Sequence, residues 1–242
     1  MSRLLFLLLT VVAFTSCSKK YKIEGISSVA SLDGKMLFLK VMNGNDLVDI
    51  DSAEVIHGKF AMNGRIDSVE MAMLYMDDES IMPLVVEGGD IKISITNSEQ
   101  TVSGTVLNNK LYAFIDKKNS LETKLDEIQQ KEAKMIMNGE DPMAIQMQLI
   151  KEADALGKEM EDHVEEFIVE NSNNVLGPCV FIMLCNAFPH PVITPQINEI
   201  ISKTSDSFKS NRLVKDYMSK AKENMQGVHE NPVQPQPAGI GY

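Results

Sequence analysis

From Tyr21 to about Gly104 apolar and polar residues alternate over short runs broken by turn-forming residues. Met36-Leu37-Phe38-Leu39-Lys40-Val41 reads as a strand that ends at Asn43-Gly44, a strong hairpin signal. Val48–Val55 alternates next, and the turn signals His57-Gly58 and Asn63-Gly64 bracket Lys59-Phe60-Ala61-Met62. Glu70–Met76, Met82–Val86 and Ile91-Lys92-Ile93-Ser94-Ile95 follow, with Gly88-Gly89-Asp90 as a turn before the last of them. Seven or eight strands at this spacing predict an antiparallel β-sandwich or open barrel over residues 21–104.

Near Leu107 the apolar period lengthens from two to about 3.5. Leu107, Leu111, Phe114, Leu121, Leu125, Ile128 and Met135 follow steps of four and three, with Lys118 and Glu132 filling the gaps. That is one apolar stripe on a long helix. Asn138-Gly139 ends it, and Asp141-Pro142 opens a second helix as N-cap and first-turn proline. The second helix carries Leu149, Ala153, Leu156, Met160, Val164 and Phe167 on one face. The two predict a long antiparallel helical hairpin whose tip needs the rest of the chain or a partner to cover it. Further helices are expected from Pro178 through Phe188, after Thr194-Pro195, and from Ser210 to about Met225. The fold class expected is α+β, with a helical region over 105–226 and a disordered, proline-rich tail over 227–242.

The remaining apolar run, Leu4–Phe14, follows a single early arginine and ends in Thr15-Ser16-Cys17. A run this short, closed by small residues, is a secretory signal over residues 1–16, not a bilayer span. The cysteine after the small pair has the form of a lipobox, although Phe14 stands where an aliphatic residue is usual. Cys17 is therefore the expected lipidation site, with 17–20 as the lipidated N-terminus. Removal of the signal takes away Arg3 and leaves 22 basic against 34 acidic side chains, a net charge of −12. Such acidity excludes nucleic acid as an expected partner. It also offers no basic face to a membrane, so attachment must come from acyl chains. Sixteen methionines, few aromatics and no tryptophan fit adaptable packing or a forgiving partner groove, and argue against stacked sugars.

Catalytic chemistry is hard to find. Cys179 and Cys185 are the remaining thiols, and six residues along one helix put their α carbons about 9 Å apart on different faces, too far for a disulfide. Both are expected to be buried and inert, with a redox role as the alternative. His57, His163, His190 and His229 are scattered, and His163, among Glu159, Asp162 and Glu166, is expected on a solvated face. Asp46, Asp49 and Asp51 lack the ligand order of a calcium loop, and Asp77-Asp78-Glu79 reads as a solvated loop. No serine lies in a nucleophile elbow, and Gly88-Gly89 joins strands without opening a helix. No metal or cofactor is expected.

Tyr21-Lys22-Ile23-Glu24-Gly25, Asp33-Gly34-Lys35, Asp51-Ser52-Ala53-Glu54-Val55 with Gly58-Lys59-Phe60, and Val102-Ser103-Gly104-Thr105 before Leu107-Asn108 form a recurring set of turn and junction motifs. In these the chain resembles a domain of unknown function from Bacteroidetes lipoproteins, over about residues 20–225. The resemblance implies an accessory half that usually precedes a thioredoxin-like domain of the thiol–disulfide interchange type. The strand–C-x-x-C–helix unit of that domain has no counterpart in these residues, so its redox activity is not carried over. The expected function is a non-enzymatic envelope lipoprotein that binds or scaffolds a protein partner. The alternatives are an accessory or docking protein of a thiol–disulfide interchange system, and a surface that binds glycan or peptide. In the relatives, acidic residues after the lipidated cysteine direct export to the cell surface. Ser18-Lys19-Lys20 stands there instead, which implies an outer-membrane anchor facing the periplasm.

Overall fold

The computed structural model describes residues 18–44 and 46–230, so Cys17, the signal segment and residues 231–242 lie outside the described part. The chain divides into two compact units between Gln100 and Thr101. Sheets come first and helices after, an α+β chain.

The first unit holds strands β1 (Lys19–Ser27), β2 (Met36–Asn43), β3 (Asp46–Glu54), β4 (Lys59–Ile66), β5 (Glu70–Met76), β6 (Glu79–Val86) and β7 (Gly89–Ile95). A short β8 (Gln100–Ser103) straddles its end. They form two four-stranded sheets, in the orders β4-β1-β7-β8 and β3-β2-β5-β6. Most pairings are antiparallel, but β1 and β7 run parallel, which corrects the all-antiparallel expectation. A parallel neighbour some 70 residues away leaves no trace in local alternation. Each sheet has one apolar face: Tyr21, Ile23, Phe60, Met62, Ile91 and Ile93 in the first, Leu37, Leu39, Leu74, Met82 and Leu84 in the second. Tyr21 ties the sheets together by donating to Asp51 Oδ2 at 2.9 Å.

Turn chemistry explains most boundaries. Asn43 pairs with Asp46 around Gly44, whose φ of +67° a side chain would oppose. His57 and Gly58 both have positive φ, the form that joins strands in two residues. Asn63-Gly64 is not a turn: both residues lie inside β4, opposite Lys22 and Tyr21. Gly64 is needed there because a Cβ would stand 2.6 Å from the Tyr21 hydroxyl oxygen. Pro83 is tolerated because β6 is an edge strand.

The second unit contains α1 (Val106–Met137), α2 (Pro142–Glu170), α3 (Leu176–Cys185), α4 (Pro195–Lys203), α5 (Asp206–Ser210) and α6 (Arg212–Glu230). At 1.5 Å per residue α1 and α2 are each about 45 Å long. The α1 stripe is as spaced in the sequence: Leu111, Phe114, Leu121 and Met135 are buried, Leu107, Leu125 and Ile128 half-buried. Contacts tie the start of α1 to the end of α2, where Phe114 stacks on Phe167 at 4.3 Å and Lys117 pairs with Glu159. They tie the end of α1 to the start of α2, where Met135, Ile145 and Leu149 cluster. Asp141 caps α2 by accepting from the Ala144 amide at 3.0 Å, and Thr194 caps α4 in the same way from Ile197 at 3.2 Å. α3 starts two residues before Pro178 and stops at Cys185, short of the expected Phe188. The five-residue α5 is too short to show a period in sequence, yet it buries Phe208 against Phe181. α6 runs through Gly227 to Glu230, past the expected helix end at 226, because a glycine weakens a helix interior by about 1 kcal/mol without forbidding it.

Candidate functional site

Both predicted thiols lie on α3, and both are free. Cys185 is 2% exposed, and burial raises its thiol from 9.0 to about 12, with a hydrogen bond to Tyr217 opposing part of the rise. Cys179 is half-buried and is raised by burial as well. A thiol that exchanges disulfides needs the thiolate near neutral pH; these environments oppose it. The Tyr217 hydroxyl beside Cys185 is itself committed, donating to the Val192 carbonyl at 2.9 Å and accepting from its amide at 3.1 Å.

The other candidates are dispersed. Asp49 pairs with Lys40 at 3.3 Å while Asp51 accepts from Tyr21, so the acidic cluster on β3 is divided between two tasks. Asp77 sits in a tight turn with φ of +52°. His163 is not on a solvated face: its ring stacks on Phe114 at 4.9 Å, and its Nε2 donates to the Phe114 carbonyl at 3.2 Å. The helical stagger of α2 puts it beside the Phe167 end of the apolar stripe, which its acidic neighbours in sequence hide. Among the described residues no three His, Cys, Asp or Glu are grouped to hold a metal ion.

Two surfaces stand out instead. The first is the outward face of β4-β1-β7. Arg65 lies directly opposite Lys20, and Lys22 lies between Asn63 and Asp90. With Gly64 and Gly89 they line an open depression of about 640 Å³. Lys22 pairs with Glu24 at 2.6 Å, and that carboxylate raises the Lys22 ammonium and is itself lowered by it. This corrects the expectation that the chain has no basic face: strand pairing collects cations that the sequence scatters.

The second surface is where α1 meets α2. Met143, Met147 and Ile150 repeat at steps of four and three on the side of α2 opposite the buried Ile145 and Leu149. They are 72%, 70% and 52% exposed, and Met137 at the end of α1 is 86% exposed. Such a second stripe is visible in the sequence, because the same helical period runs through it. The first stripe alone suffices to predict the helix, so the second adds nothing to that prediction. A groove of about 400 Å³ further along α1 and α2 is lined by charges of both signs, and Lys131 pairs with Glu152 there at 2.5 Å.

The comparisons with known proteins add one assignment to this geometry. Residues 21–111 match the model of a family described as a domain of unknown function (DUF4369). The match takes in β1 to β8 apart from the first two residues of β1, and the start of α1 as far as Leu111. Those are the segments whose turn and junction motifs carry the resemblance noted in the sequence. No curated protein and no solved structure matches the chain.

Proposed function

We propose that this chain is a non-enzymatic envelope lipoprotein, anchored through acyl chains on Cys17, that acts as a binding or scaffold module. The β unit is read as a sandwich at the anchored end of the chain, since β1 begins two residues after Cys17. α1 and α2 are read as an antiparallel helical hairpin whose tip meets a protein partner. The resemblance to envelope lipoproteins and the basic residues after Cys17 support an outer-membrane anchor facing the periplasm.

One observation carries the binding role: the exposed stripe Met143, Met147 and Ile150 with Met137 beside it. A helix needs one apolar face to pack and this one has two, so the second has no structural use among the described residues. Methionine side chains adapt to a partner groove at small conformational cost. A photo-crosslinking residue at Met147 should give a discrete adduct in cells, and one at Lys158 should not. Identical patterns from the two positions, or none from either, would remove the tip as the binding surface.

A further inference from the structure

We propose that the outward face of β4-β1-β7 lies on anionic lipid headgroups, so that the acyl anchor and this face hold the β unit together. The proposal rests on the lipidation of Cys17 proposed above. Its starting point is a local reversal of charge. The outward positions of the three strands carry Lys20, Lys22, Lys59, Arg65 and Lys92 against Glu24 and Asp90, a net of +3 on a chain of net −12 after the signal is removed. All seven are exposed, and among the described residues only Lys22 and Glu24 of these form an ion pair. Elsewhere among the described residues many lysines are matched with carboxylates, as at Lys117, Lys131, Lys158 and Lys203.

Chain length then selects the occupant. Cys17 stands two residues before Lys19, so the start of β1 is at most about 7 Å from it in any conformation. The Debye length at physiological salt is about 8 Å. Lys20 and its cross-strand partner Arg65 are therefore held within reach of the headgroup charge, at the end of the sheet nearest the anchor. Apart from Lys22, which is paired with Glu24, the cations of that face can meet phosphates without breaking an ion pair among the described residues. The open depression between Lys20, Lys22, Arg65 and the glycines offers room for a headgroup. Nucleic acid and acidic protein have the same sign of charge, but neither is delivered to this end of the sheet by the anchor.

Lysine acetylation of the purified lipoprotein tests the proposal, with rates read by mass spectrometry. The protein is reconstituted in vesicles of phosphatidylcholine alone, or of phosphatidylcholine mixed with phosphatidylglycerol. Lys20, Lys22, Lys59 and Lys92 should react about threefold more slowly or less on the anionic vesicles, while Lys158 and Lys220 keep one rate on both. Arg65→Glu should abolish the protection of Lys20 without loss of vesicle flotation. Flotation with unchanged rates at all four lysines overturns the face and leaves the anchor standing. Failure to float with either vesicle overturns the anchor and the proposal with it. Equal protection by a DNA oligonucleotide at the same phosphate concentration would reassign the face to polyanions in general and overturn the lipid assignment.

Discussion

Cys185 makes the chemistry of the thiols measurable. Its folded-state thiol is raised from 9.0 to about 12 by burial, so between those values the folded chain holds a proton that the unfolded chain releases. The stability this contributes is complete below about pH 9 and is lost as the pH rises towards 12. Tyr21, Tyr112 and Tyr217, raised chiefly by burial, push in the same direction at higher pH. Thermal unfolding of wild type and Cys185→Ala should therefore run parallel below pH 9 and converge above it, as wild type loses its advantage. Iodoacetamide at pH 8 should label neither cysteine fully until the protein is unfolded, and insulin reduction should show no turnover above that of the double Cys→Ser variant. Rapid labelling of the folded protein, or turnover that vanishes in the double variant, would instead favour the thiol–disulfide alternative. The separation of the two cysteines along one helix was legible in the sequence. So was the burial of Cys185, but its contact with Tyr217, some 30 residues away, was not, because it depends on how α3 meets α6.

At the scale of elements, the stripe of α1 gives a graded expectation. Leu121 is fully buried and Leu125 only half-buried, although they are successive members of one sequence pattern. Leu121→Asp should cost about 3 kcal/mol or more, by lost packing and a carboxylate without a partner, and Leu125→Asp clearly less. Denaturant unfolding checks the order, and equal small effects at both positions would mean that the stripe is not packed as described. Periodicity sufficed for α1, α2 and the caps at Asp141 and Thr194, because each of those signals is local. It failed where an element depends on a distant neighbour or is too short. Asn63-Gly64 has the form of a turn although Tyr21 fills the place of a Gly64 side chain, the β1–β7 pair is parallel, and α5 spans a single turn. His163 misled for the same reason, since charged neighbours in sequence said nothing of Phe114.

On the scale of the whole molecule, composition gave a correct total and a wrong inference. A net charge of −12 after signal removal excludes nucleic acid as an expected partner and, taken as a total, predicts no basic face. Strand register restores one, next to the proposed anchor. The exposed methionines at the end of α1 and the start of α2 are the separate surface proposed for a protein partner. Both roles depend on the chain being held at a membrane through Cys17. The most direct test is membrane fractionation of wild type and Cys17→Ser from the native envelope, with mass analysis of the mature N-terminus. The account predicts an acylated wild-type chain that begins at Cys17 and partitions with the outer membrane, and a variant that is soluble or remains an uncleaved precursor. A Cys17→Ser chain still found as a mature, membrane-bound species would contradict it.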